Sequence, residues 1–304
     1  MTELPPPIAF LATASPSLVP LLELGARAAE SEAPVLILGE PGSGRTTLAR
    51  GLHGSSRRRA GPLVEVDPGS LPSSLFESEL FGHLAGAFTG AEESVEGRVA
   101  RAENGTLLLD HVEETPIAAQ AKLLRLLAEQ RYAPLGGQDR RANVRFMAIG
   151  SSDLPRRIES GAFRSDLFYR LEVLTLRLPP LRSRMDDLPA LIGHFLDDLG
   201  DRFGRGRLRL AAEARAWMET YEWPGNLREL RNVLEREVLM TEGDLLDPRP
   251  RSTAKRAPEP LATVEKRQIM KALEHTRGHQ GRAAELLGIS RKALWEKRRR
   301  LGLP

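Results

Sequence analysis

Residues 34–47 constrain the fold of this chain more than any other stretch. Pro34 introduces the apolar run Val35-Leu-Ile-Leu38, and a glycine-rich segment, Gly39 to Thr47, follows directly. A short strand ending in glycine, a loop whose backbone N–H groups can wrap an anion, and a helix starting near Thr47 form the phosphate-binding arrangement. Further buried strands are predicted at 63–66, 106–109, 144–149 and 173–178. Five such runs separated by helical patterns argue for a parallel sheet covered on both faces. Residues 117–130 carry apolar side chains at 117, 121, 124 and 127, near helical period, with Pro116 in the first turn. After Leu178-Pro-Pro-Leu181 the strand patterns stop, and 187–243 reads as a set of helices.

The chain's 304 residues suggest about two domains. It has no cysteine, which excludes disulfides and thiolate metal sites and suits a reducing cytosol. The N-terminus is broken by Pro5, Pro6, Pro7, Pro16 and Pro20, and no segment approaches the roughly 20 apolar residues of a membrane span. Net charge is +3, but residues 251–304 hold 14 Lys and Arg against 5 Glu, a net +9 that leaves −6 for the first 250. A basic tail behind a mildly acidic body points to a nucleic-acid module.

That tail carries a recognisable pattern. Gly281 to Leu287, a turn at Gly288, Ser290 as N-cap and a basic helix from Arg291 to Leu301 read as a helix-turn-helix, with Ala283, Ala284, Leu286 and Leu287 suited to a packed first helix. Trp295 reads as a packing residue, and His275 and His279 lack metal partners. Upstream, Glu77-Ser-Glu-Leu-Phe-Gly-His83 leads into Gly86, Ala87, Phe88, Thr89, Gly90 and Ala91, an unbroken GAFTGA. Its glycines free the backbone, while Phe88 and Thr89 offer an aromatic ring and a hydroxyl, a composition suited to a mobile contact tip.

From Ile8 onward the chain resembles the AAA+ activators of sigma-54 RNA polymerase, NtrC-type enhancer-binding proteins ending in a Fis-type domain. The resemblance implies an α/β fold: a P-loop AAA+ parallel sheet with an α-helical lid, followed by a small all-α helix-turn-helix domain. The expected divisions are 8–180, 181–246, a linker at 247–260 rich in proline and charge, and 261–304. The implied cofactors are ATP and Mg2+. Implied partners are sigma-54 RNA polymerase, double-stranded DNA and further subunits in a homo-oligomeric or mixed ring, with cytoplasmic location and no membrane. Family members normally carry a receiver or sensor domain in front; this layout is expected to resemble the short activators that lack one, with control lying with a partner protein or with expression.

Residue by residue, Gly39, Glu40, Pro41, Gly42, Ser43, Gly44, Arg45, Thr46 and Thr47 fit the Walker A loop, with Thr46 placed for magnesium. Gly105-Thr-Leu-Leu-Leu-Asp110 fits Walker B, Asp110 being the metal carboxylate. Arg164 and Arg170 resemble arginine fingers, and Arg228, within Trp223-Pro-Gly-Asn-Leu-Arg-Glu-Leu230, resembles sensor II. GAFTGA would contact sigma-54. Arg282, Ser290, Arg291, Lys292, Glu296, Lys297, Arg299 and Arg300 would contact DNA, with 297–300 serving phosphates more than sequence reading.

Arg298 stands where the family usually has an apolar residue near the end of the second helix of the helix-turn-helix, and four positions of the nucleotide site also depart from the family pattern. Arg45 stands for the Walker A lysine, His111 for the Walker B glutamate, Asp67 for the asparagine after the second strand, and Ser151 for the sensor I asparagine. A guanidinium is no substitute for a point-charge ammonium. His111 is either a replacement base or an inert histidine, no partner for it being evident in the sequence. Two readings follow: an ATP-driven activator, or a degenerate AAA+ subunit that binds DNA but turns over little ATP, acting alone or in a mixed ring. An unrelated P-loop kinase or transporter would carry neither GAFTGA nor a Fis-like end.

Overall fold

The computed structural model describes residues 18–249, together with 265, 268–270, 272, 273, 276 and 278–300. It divides into two compact units, Met1–Pro248 and Arg249–Pro304. Most of the expected linker, residues 261–264, His275 and Leu301 lie outside the described residues.

In the first unit, α1 (Val19–Glu30) precedes β1 (Val35–Gly39), α2 (Arg45–Gly54), β2 (Leu63–Val66) and α3 (Ser73–Phe81). There follow β3 (Thr106–Leu109), α4 (Ile117–Glu129), β4 (Arg145–Gly150), α5 (Ser165–Leu171) and β5 (Leu174–Leu178). The strands form one parallel sheet in the order β2-β3-β4-β1-β5, with Val35 opposite Met147 and Leu174, and Leu107 opposite Phe146. Successive strand residues point to opposite faces, so the central strands β1, β3 and β4 feed two cores. Val35, Ile37, Leu108, Met147 and Ile149 pack with α1, α2 and the lid; Leu36, Leu38, Leu107, Leu109, Phe146 and Ala148 pack with α3, α4 and α5. Both faces being covered is why β1 and the bodies of β3 and β4 read as apolar runs, whereas the edge strand β5 alternates, with Arg177 exposed.

The lid comprises α6 (Leu188–Arg202), α7 (Ala212–Thr220) and α8 (Asn226–Met240). Leu188, Leu191, Ile192, Phe195, Leu196 and Leu199 recur at helical spacing and form one buried stripe, opposed by Leu227, Leu230, Leu234 and Val238 of α8. Strand pairing does not stop at Leu178, because Arg209–Leu210, between α6 and α7, pairs in parallel with Leu245–Leu246, after α8. The helix after the glycine loop starts at Arg45, two residues earlier than expected, with Gly44 as N-cap at φ 106°. In α4 the buried face is Ala119, Gln120, Leu123, Leu126 and Leu127, whereas Ile117 is 55% exposed. The side bearing three leucines removes more apolar area from water, so it faces inward.

One charged residue sits at the centre of this unit. Arg145 opens β4, is 1% exposed, and donates to the carbonyls of Ala28 and Ala29 at the end of α1. Burial pushes its pKa down, yet a cation at a helix C-terminus satisfies carbonyls left over by the helical ladder.

In the second unit, α9 (Gln280–Leu286) and α10 (Arg291–Arg300) are separated by a turn in which Gly288 takes φ 67°. Ser290 Oγ accepts the Ala293 N–H at 3.1 Å, the expected cap, and His279 Nδ1 accepts the Arg282 N–H at 3.3 Å, a capping role the sequence reading did not assign. Ile269, Ala272, Ala283, Ala284 and Leu294 form the core. Leu286 and Trp295 are not part of it, at 59% and 54% exposed. With alanines at the helix contact the pair approaches closely, and larger side chains at neighbouring positions are left outside. Among the described residues no helix is long and apolar enough to cross a membrane.

Arg145→Met, which keeps the volume but removes two charged hydrogen bonds to the carbonyls of Ala28 and Ala29 at the end of α1, is expected to destabilise the first unit by about 2–4 kcal/mol. Urea unfolding followed by the lid tryptophans measures this. Parent-like stability would show that the capping contact contributes nothing.

Candidate functional site

The site lies where the strands end. After β1 the chain turns through Gly42 (φ 76°) and Gly44 (φ 106°) into α2, whose first intrahelical bond runs from Leu48 N–H to Gly44 O at 2.9 Å. The amides of Gly44 to Thr47 therefore precede the helical ladder and present an anion seat. From the end of β3, Asp110 Oδ2 accepts the Thr46 hydroxyl at 3.1 Å. These groups border a cavity of 540 Å³ lined by Gly42, Gly44, Arg45, Thr46, Thr47, Asp110, His111 and Arg228, all expected from sequence, and by His194, Phe195, Leu227 and Arg231, which were not. Arg231 lies three residues beyond Arg228 on α8, and that helical spacing is the signal that could have found it.

The rest of the loop faces the lid. Arg182 grips Glu40 with both terminal nitrogens at 2.7 and 2.6 Å, and Asn226 Nδ2 donates to Pro41 O at 3.1 Å. Leu227 N–H donates to Gly42 O at 2.9 Å, and Arg184, 2% exposed, donates to Ser43 O at 2.7 Å. A Cβ on Gly42 would lie 2.4 Å from the Gly225 carbonyl, so lid contact as well as backbone angle demands glycine there. Gly39 belongs to β1, where a Cβ would meet the Leu178 carbonyl at 2.9 Å.

The four departures fall into two contacts. Arg45 turns inward, 6% exposed, its Nη1 donating to Gly39 O at 3.0 Å and Gly150 O at 2.7 Å, and burial lowers its pKa. On the other side of the same peptide unit, Ser151 N–H donates to Glu113 Oε1 at 3.1 Å, Glu113 being 6% exposed. Ser151 Oγ meanwhile accepts the Asp153 N–H at 3.3 Å, so it caps its own turn. His111, in the left-handed region at φ 55°, places Nδ1 3.4 Å from Asp67 Oδ1 and 3.7 Å from Asp110 Oδ1. The partner that the sequence did not reveal is thus Asp67, 44 residues away in the chain.

Elsewhere on this unit, Arg164 forks onto Asp166 at 3.0 and 2.7 Å, and Arg170 reaches Ala128 O at 3.4 Å; both are exposed, beside Tyr169 at 71%, and neither lines the cavity. The loop 84–94 rises from an antiparallel pair, Gly82–His83 with Val95–Glu96. Gly86 N–H donates to Ala91 O at 2.8 Å, closing it, and Gly86 and Gly90 take φ 80° and 97° in open space. Phe88 is 40% exposed with its ring 5.0 Å from His83, and Gly86, Thr89 and Gly90 are exposed. Ala91 is 7% exposed, an anchor rather than part of the tip.

On the second unit, Arg282, Ser290, Arg291, Lys292, Glu296 and Arg299 are exposed, Arg299 lying over the Trp295 ring at 5.6 Å. Lys297 and Arg300 both pair with Glu265.

Residues 11–177 match the family model of the sigma-54 interaction domain, residues 182–260 that of the AAA+ ATPase lid domain, and residues 260–301 that of the bacterial regulatory protein, Fis family. The chain is 42% identical over 310 residues to the regulatory protein AtoC of Escherichia coli (strain K12), covering 96% of this chain and 67% of that protein. It is 43% identical over 278 residues to the C4-dicarboxylate transport transcriptional regulatory protein DctD of Rhizobium meliloti (strain 1021), covering 90% and 60%. The chain thus spans some two thirds of AtoC and less of DctD. Crystallised NtrX from Brucella abortus in complex with ATP superimposes with TM-score 0.74 at 29% identity, over 97% of this chain and 71% of that one.

The Arg182 fork holds the Glu40 carboxyl down from its ordinary 4.5 to about 2. A carboxylate depressed in the folded state contributes stability above pH 4.5 that is lost as pH falls towards 2. Glu40→Gln should therefore blunt the acid sensitivity of the lid in that window, followed by tryptophan fluorescence. Identical acid titrations of variant and parent would show that the pair does not hold the lid.

Proposed function

Since this chain belongs to the sigma-54 interaction domain family, we propose that it is a DNA-bound AAA+ regulator that engages sigma-54 RNA polymerase through the GAFTGA loop under nucleotide control. The observation that carries this reading is the contact between His111 and Asp67. It links the end of β3, beside the nucleotide cavity, to the segment that leads through α3 into the loop. A change at the phosphates is thereby passed to Phe88 and Thr89 through one hydrogen-bonded pair and one helix.

The residues present fit a magnesium nucleotide. Thr46 hydroxyl and Asp110 carboxylate converge at 3.1 Å, an oxygen pair suited to a hard cation, beside the amides opening α2. When bound, the nucleotide supplies the phosphoanhydride whose cleavage drives the loop. Thr46 and Asp110 hold the metal, Arg228 approaches the phosphates from the lid, and the exposed Arg164 and Arg170 reach a neighbouring subunit in a ring. Arg282, Arg291, Lys292 and Arg299 supply the cationic face for DNA.

Phe88→Ala and Thr89→Ala are expected to leave DNA and ATP affinity unchanged and to abolish transcription from a sigma-54 promoter. Parent-like activation by both variants would sink the loop assignment.

The second reading, a subunit with little turnover, is favoured by Arg45 being bonded to two carbonyls. His111→Glu alone would set a second carboxylate against Asp67, and like charges at that range disfavour each other. Steady-state ATP turnover should accordingly rise about a hundredfold only when His111→Glu is combined with Asp67→Asn. Equal turnover by parent and double variant would show that His111 already serves as the base, or that Arg45 limits the site.

A further inference from the structure

Three arginines line the nucleotide cavity, and they are not equivalent. Arg45, from the loop, is engaged elsewhere. Its Nη1 holds the carbonyls of Gly39 and Gly150, and its charge lies in the field of Asp110 and Glu113. Glu113 in turn accepts the N–H of Ser151. The peptide unit joining Gly150 to Ser151 therefore has a buried cation on its carbonyl and a buried carboxylate on its amide. If Arg45 swung out towards a ligand, both carbonyls would lose their donor and Glu113 its nearby positive charge, each an uncompensated loss in a buried setting.

The other two arginines come from the lid. Arg228 and Arg231 stand three residues apart on α8 and so share one side of that helix. The first turn of α8 is fixed to the loop through Leu227 N–H on Gly42 O and Asn226 Nδ2 on Pro41 O. Both guanidinium groups are thus carried by a backbone bonded to the phosphate seat itself. Arg231 is 43% exposed in its side chain and pairs with Asp198, 46% exposed, at 2.8 Å. An exposed pair of this kind contributes little and exchanges readily, so Arg231 can leave Asp198 by side-chain rotation alone.

Building on the nucleotide-binding reading above, we propose that Arg231 is a phosphate-binding residue. With Arg228 it provides from the lid the positive charge that loop residue 45 withholds, and its ligand is the polyphosphate tail of a nucleoside triphosphate. Nucleotide affinity in this chain then depends on the lid staying seated on the loop, because two of the three cavity arginines belong to the lid.

The test is calorimetric titration of the full chain with Mg-ATP, ADP and adenosine. Arg231→Ala should weaken ATP binding about tenfold or more, the worth of a charge-assisted hydrogen bond to phosphate, with a smaller loss for ADP and none for adenosine. Arg231→Lys should recover part of the loss. Asp198→Asn, which releases Arg231, should tighten ATP binding by up to about fivefold, whereas a purely structural ion pair would give no gain. The nucleotide-free melting temperature of Arg231→Ala should match the parent, separating a lost contact from a damaged lid. Parent-like ATP affinity in Arg231→Ala, or an equal loss for adenosine, would overturn the assignment of Arg231 alone. A parent chain that binds no ATP would overturn the nucleotide-binding reading together with it.

Discussion

Everything in the first unit depends on burying both faces of one parallel sheet. Val35, Ile37, Met147 and Ile149 enter one core while Leu36, Leu38, Phe146 and Ala148 enter the other, so β1 and β4 leave no face for polar side chains beyond Arg145, which opens β4 and caps α1. Chemistry is therefore pushed past the carboxyl ends of the strands. Glu40 to Gly44 follow β1, Asp67 follows β2, Asp110 and His111 follow β3, and Ser151 follows β4. Residues distant in sequence meet there because an open parallel sheet brings its strand ends to one edge.

The lid is not a loosely hinged cover. Glu40, Pro41, Gly42 and Ser43 each meet a lid residue, namely Arg182, Asn226, Leu227 and Arg184. Four consecutive loop residues held in this way make the loop's backbone and the lid's first contacts one mechanical element. A ligand that shifts the loop must move the lid with it, and the reverse holds by the same linkage. The cavity's unanticipated lining, His194, Phe195, Leu227 and Arg231, all comes from α6 and α8 for that reason.

Departures from the family pattern that look like scattered losses in one dimension are contacts in three. Arg45 and Glu113 take the two polar atoms of one peptide unit, and Asp67 and His111 face each other across the gap between β2 and β3. A cation inside a core is tolerated only with nearby acceptors and compensating charge, and Arg45 has both. Where the resemblance implies an amide at 67 and a carboxylate at 111, this chain has a carboxylate and an imidazole, which reverses donor and acceptor across the contact.

The sheet, the phosphate loop, the lid helices and the helix-turn-helix are legible in the amino-acid order, because each is written in local periodicity, glycine placement or a capping residue such as Ser290. Part of the cavity lining was legible too: Gly44 and Thr46 follow from strand–loop–helix order, and Asp110 from the apolar strand that ends in a carboxylate. Tertiary structure alone decided where long side chains point. Arg45 reads as a phosphate cation but bonds carbonyls of two strands; His111 has no evident partner until Asp67 arrives from another strand; Trp295 reads as core and lies in solvent. The register of α4 and the parallel pairing of Arg209–Leu210 with Leu245–Leu246 were likewise settled by packing. The physical reason is common to all of them. Backbone hydrogen bonding and apolar spacing act over a few residues, whereas the partner of a flexible polar side chain is chosen by whatever the completed fold leaves unsatisfied within its reach.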